Sequence, residues 1–157
     1  MKRILIATGI YPPDIGGPAT YSRIIAENLV KNKFKAGVIS FSADFKNKFK
    51  EKTIKVVRIW RGWPKGLRHI IYLFKLWKLV PDYDLIFSQN ATSVGLPSLI
   101  IAKLKGKRLA VKVVIDSLVE VARVRGGSGA EVNLGSYGLN RSSRFRHKLQ
   151  RFVCRRA

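Results

Sequence analysis

Cysteine, histidine and acidic side chains are scarce in this chain, and each scarcity excludes something. One cysteine, Cys154, cannot form an intrachain disulfide. The two histidines, His69 and His147, stand alone, so no Cys/His cluster has metal-ligand spacing and no Ser/His/Asp arrangement can be read. A metal-free chain without a cofactor, in a reducing compartment, is the expectation. Nine acids face 31 lysines and arginines, a formal net charge of +22. A field of that sign selects polyanions: nucleic acid, anionic lipid headgroups or phosphorylated small molecules.

Long apolar runs are missing too. The first one stops at Ala7 and gives way to Thr8, Gly9 and prolines, too short for the core of a secretory signal. No window approaches the roughly 18 apolar residues of a spanning helix. The chain is therefore expected in the cytoplasm, with any membrane contact peripheral, on the inner face of the plasma membrane. The sequon Asn90-Ala91-Thr92 then reads as chance. Neither the G-x-G-x-x-G of dinucleotide folds nor the Lys-Ser/Thr of a P-loop occurs, and no internal repeat is visible.

What the chain does have is 46% hydrophobic residues over 157 positions, enough for one packed domain spanning 1–157. Strand-like runs rich in Ile, Val and Leu lie at 3–8, 36–42, 53–59, 84–88 and 109–115. Helical patterns fall at about 18–32, 65–80 and 94–105 between them. Strands apolar almost throughout, alternating with helices, are the mark of βαβ units covered on both faces. The expected fold is α/β, a Rossmann-like doubly wound and mainly parallel sheet. Residues 126–138 hold five of the 13 glycines, and 126–140 is expected to be a mobile loop ahead of a basic amphipathic helix at 141–156.

The connection "YPPDIGGPATYS" at 11–22 is stiff at its ends and bare in its middle. In an open parallel sheet, ligands bind at the carboxyl ends of the strands, where such loops gather. Pro12 and Pro13 restrict the backbone, and Pro18 suits a helix's first turn, where its missing N–H has no intrahelical partner anyway. Gly16 and Gly17 let a ligand approach the main chain at the positive end of the helix dipole. The loop reads as a phosphate seat, with Thr20 and Tyr21 as further hydroxyl donors, or else as a turn that needs glycine only for its dihedrals.

"ILIATGIYPPDIGGPATYSRIIAENLVKN" followed by "SQNATSVGLPSLIIAKLKGKRLAVKVVID" closely resembles the amino-terminal domain of GT-B glycosyltransferases of the GT4 family, over residues 1 to about 116. The likeness resumes at "KLQRFVCRRA". It implies one half of a GT-B architecture, the acceptor-side domain of an enzyme moving a sugar from a nucleotide-sugar donor to a glycan or lipid-linked acceptor. It also implies that Gly16, Gly17 and Thr20 reach the donor diphosphate, while Asp14, Tyr21, Asn90, Ser93 and Gly95 line the acceptor side of the cleft. Asp116 matches the position of a catalytic carboxylate or histidine, although it equally suits a helix N-cap. The donor-binding domain, with its E-x7-E motif, is expected to be absent from this chain, which alone is expected to be inactive.

The charge has its own pattern. Between 45 and 80, eleven basic residues and one acid, Glu51, interleave with Trp60, Trp63, Tyr72, Phe74 and Trp77. Trp60, Arg61, Trp63 and Lys65, in "RIWRGWPKG", read as an exposed tip suited to a membrane interface. The helix at 65–80 is apolar around most of its circumference, and burial between sheet and neighbours is expected to explain most of that. In the last helix Arg144, Lys148, Arg151 and Arg155 fall within about 60° at 100° per residue, a stripe that fits an anionic membrane surface or a merely solvated face. Nucleic acid is the lesser candidate, because no strand-borne stacking platform, helix-turn-helix, RRM or KH pattern is present. A non-enzymatic polyanion-binding module is the alternative to the transferase.

Overall fold

Residues 2–43, 53–112 and 141–157 are described by a computed structural model. The described elements run β1 (Arg3–Thr8), α1 (Gly17–Lys31), β2 (Lys35–Ser42), β3 (Lys55–Trp60), α2 (Lys65–Leu79), a 3-10 turn at Val80–Asp82, β4 (Leu85–Ser88), α3 (Gly95–Leu104), β5 (Arg108–Val111) and α4 (Arg141–Cys154). The expected strands and helices are all present, with small differences at their ends. The remainder of the expected fifth strand, the glycine-rich segment at 126–140 and Asp116 lie outside the described residues.

The five strands form one sheet in the order β3-β2-β1-β4-β5, and every pair is parallel. Side chains alternate across a strand, so a continuous apolar run supplies two buried faces. Leu5 and Ala7 of β1, with Ile39 and Phe41 of β2, pack beneath Tyr72, Leu76 and Leu79 of α2 and Ile101 and Ala102 of α3. Ile6 and Val38 turn to the other face and pack with Ala26, Ile25 and Leu29 of α1. Full burial of each such Ile or Leu is worth about 1.5–3 kcal/mol relative to exposure, so both layers are needed to hold the sheet.

Local signals set the helix ends. Pro18 sits in the first turn of α1, and Lys33, at a φ of 61°, takes the left-handed conformation just past its end. The last helix, α4, seats Val153 against Ala91 and Leu99, with Leu109 and Val111 of β5 alongside. Helices α2, α3 and α4 therefore share one sheet face, and α1 covers the other. One expectation changes here: burial accounts for only part of the apolar circumference of α2. Its outward side carries the exposed Leu67, Ile70, Phe74 and Trp77.

Candidate functional site

Strands β1 and β4 lie side by side, but the chain leaves them for opposite ends of the sheet, β1 toward β2 and β4 toward β5. The crevice between their carboxyl ends is the switch point at which open parallel sheets bind ligands. Each strand closes with a hydroxyl that turns the chain in the same way. Thr8 Oγ1 donates to the Ile10 carbonyl at 2.9 Å, and Ser88 Oγ donates to the Asn90 carbonyl at 2.8 Å. The Gln89 amide continues the pairing by donating to the Ala7 carbonyl at 2.9 Å. A Cβ at Gly9 would stand 3.8 Å from Asn90 Nδ2, so the two loops face each other.

Beyond Thr8 the chain passes a cis Pro12–Pro13 bond and reaches Gly16, whose φ of 155° strains any L side chain. Gly17, exposed, begins α1. Ala19 and Thr20 amides both donate to the Gly16 carbonyl, at 3.0 and 3.1 Å, and Pro18 has no N–H. Of the first-turn amides, that leaves Gly17 N–H without an acceptor among the described residues. The Thr20 hydroxyl donates back to the Gly16 carbonyl at 3.4 Å. Ile15, 99% exposed, forms the tip of the loop.

Two arginines from the β3 side brace this loop. Arg58, 7% exposed, donates from Nη2 to the Pro12 carbonyl at 2.7 Å and lies over the buried Tyr11 ring. Arg61 Nη2 reaches Asp14 Oδ2 at 3.1 Å and the Gly9 carbonyl at 3.3 Å, while Asp14 Oδ1 accepts from the Ala43 amide at 3.4 Å. Asp14 and Arg61 thus meet each other, at the loop's flank. Trp60 and Trp63 stack edge to face at 5.9 Å, and Lys65 is the first residue of α2.

On the β4 side, Asn90 Oδ1 accepts from the Val94 amide at 3.2 Å, and Asn90 Nδ2 donates to Ser93 Oγ at 3.0 Å. Gly95 is buried against the Asn90 carbonyl, where a Cβ would collide with backbone. These three residues build the bend that opens α3. Tyr21 stands on α1 with the Lys112 ammonium 3.2 Å from its ring centroid. Lys112 follows β5 directly, and its amide donates to the Ser88 carbonyl at 2.8 Å. It brings a cation beside the start of α1 that the sequence reading passed over. Gln89 and Ser22 escaped it as well. Buried Gln89 Nε2 donates to Ser22 Oγ at 2.7 Å, and Ser22 donates to the Pro18 carbonyl at 2.5 Å.

Lys148 and Arg151 lie elsewhere, on α4, with Arg155 in the turn just past its end and Arg144 in the same helix. With Phe152 and Arg156, the first three line a recess of about 360 Å³ on the outer side of that helix. His69, half-buried with its ring edge-on to Phe41, is held below its ordinary value by burial first and Arg68 second. It takes no part in the crevice.

No protein-family model matches the sequence, and no curated protein sequence matches it. Among solved structures, a sucrose-phosphate synthase from Thermosynechococcus elongatus matches 98% of this chain with a TM-score of 0.70 and 12% sequence identity. That protein is a GT-B glycosyltransferase. The shared fold is Rossmann-like. The chain spans 40% of that protein's length, and at such identity the likeness establishes the architecture alone.

Proposed function

We propose that this chain is the acceptor-side domain of a glycosyltransferase of the GT4 type, working with a donor-binding domain across the crevice. The observation that carries this reading is the Gly16-Gly17 bend at the positive end of α1, after the β1 end of the switch point, with Gly17 exposed and its amide without an acceptor among the described residues. Such an amide, one helical turn before the Tyr21 ring that holds the Lys112 cation, suits a donor diphosphate. The wholly exposed Ile15 gives the loop an apolar tip for an acceptor or a facing domain. The donor is a nucleotide sugar and the acceptor a polysaccharide or lipid-linked glycan, met at the inner face of the plasma membrane. Alone, the chain binds a nucleotide sugar weakly.

Amide NMR of the chain tests this. Titration with a nucleotide diphosphate at millimolar concentration should shift Gly16, Gly17 and Lys112 together and leave α4 in place. Shifts confined to α4 would instead support the second reading, a non-enzymatic polyanion-binding module. The basic recess lined by Lys148, Arg151 and Arg155 is what favours that alternative.

A further inference from the structure

The outer side of the α2–α3–α4 layer carries two stripes of different chemistry. On α2, Leu67, Ile70, Phe74 and Trp77 recur at i, i+3, i+7 and i+10, within about 80° of helix surface. All four are exposed, Ile70 at 64% and Phe74 at 58%. The opposite side of the same helix packs Tyr72 and Leu76 into the core, so the stripe faces straight outward. On α4, Val153 and Gln150 are buried, which turns Lys148, Arg151 and, just past its end, Arg155 outward in the same way, with Phe152 beside them. Between the two lies α3, which contributes exposed Ile100 and Leu104.

An apolar stripe of that size on a helix surface marks a partner. The partner's chemistry follows from the rim. Lys78 Nζ stands over the Phe74 ring, 4.5 Å from its centroid, and Lys105 Nζ over that of Trp77 at 3.7 Å, so each aromatic of the stripe carries a cation against its face. No acid occurs in α2, α3 or α4. Among the described residues no helix is long and apolar enough to cross a membrane. Lysines paired with a tryptophan and a phenylalanine of an exposed apolar stripe, beside a separate basic helix, match the two signals that stable peripheral binding needs: apolar insertion and attraction to anionic headgroups.

We infer that the outer face of α2–α3–α4 docks on an anionic lipid bilayer, with Leu67, Ile70, Phe74 and Trp77 entering the interface and Lys148, Arg151 and Arg155 holding the headgroups. The inference deepens the membrane part of the proposed function and rests on it. It places the contact along the length of α2 rather than at the tip that holds Trp60 and Trp63.

Co-sedimentation with phosphatidylcholine vesicles containing phosphatidylglycerol, free of glycan and nucleotide sugar, tests it. Three proteins are compared: the chain, the stripe variant Ile70→Gln/Phe74→Gln, and the basic variant Lys148→Gln/Arg151→Gln/Arg155→Gln. Circular dichroism verifies that each variant is folded. The stripe variant should bind at least tenfold more weakly at low and high salt. The basic variant should lose binding only where phosphatidylglycerol is present, and only at low salt. Binding of the parent chain with both variants undiminished would overturn this face while leaving a membrane role intact, and no binding by the parent chain would overturn both. A concentration-dependent dimer without lipid that the stripe variant abolishes, with vesicle binding unchanged, would assign the stripe to a second copy and overturn the inference too.

Discussion

Gln89, at the end of β4, hands a hydrogen bond of 2.7 Å to Ser22 in α1, and both side chains are buried. Ser22 passes it on to the Pro18 carbonyl in the first turn. The glycine-rich end of α1 is thereby fixed to the strand that forms the other wall of the crevice. A helix terminus can serve as an anion seat only if it holds its place when the ligand arrives, and this relay supplies that constraint from within the core.

Breaking the relay should loosen both the fold and the seat. Gln89→Leu removes the donor, and Ser22→Ala leaves the buried Gln89 amide group without this acceptor. Each should cost about 1–3 kcal/mol in urea denaturation. The double variant should cost less than the sum, because the second change removes the group that the first left unsatisfied. Strict additivity would mean that the two residues stabilise the protein independently.

Two glycines near helix starts should respond in opposite directions to alanine. At Gly95 the new methyl would meet the Asn90 carbonyl, so Gly95→Ala should lower stability by about 1–3 kcal/mol. At Gly66 in α2 nothing lies within 4 Å of the added carbon, and Gly66→Ala should raise stability by about 0.4–1 kcal/mol through the unfolded chain. Thermal melts of the pair decide it, and equal shifts would refute the packing argument at Gly95.

The two loop arginines should also separate. Arg58→Met removes a nearly buried charge-assisted bond to the Pro12 carbonyl and should cost about 1.5–3 kcal/mol. Arg61→Ala breaks a pair whose arginine side chain is 41% exposed, and should cost under about 1 kcal/mol. A larger loss at Arg61 than at Arg58 would reverse this ranking of the two braces.

Much of this architecture was legible because it is local. The runs at β1, β2 and β3 are apolar on both faces, which requires two covering layers, and Pro18 announces the first turn of α1. The Gly16-Gly17 bend falls where the pattern placed it, although Pro18 and the Ala19 bond leave fewer outward amides than a count of residues implies. Contacts between distant segments were not legible. Nothing near Gln89 in the sequence points to Ser22, and nothing near Lys112 points to Tyr21. The exposure of Leu67, Ile70, Phe74 and Trp77 was hidden for a different reason: a helix apolar around most of its circumference gives little sign of which side the sheet covers.

Acid should weaken the fold through His69. Burial and Arg68 hold its folded-state value below the ordinary 6.5. Between that lowered value and 6.5, the unfolded chain takes up a proton that the folded chain refuses. The unfolded state therefore gains as pH falls, so stability is complete above 6.5 and declines as pH drops through that window. The difference between parent and variant isolates His69. Urea midpoints measured from about pH 8 to pH 5 should fall less steeply for His69→Gln than for the parent chain. Parallel slopes would mean that the Phe41 side of α2 admits the imidazolium as readily as water does.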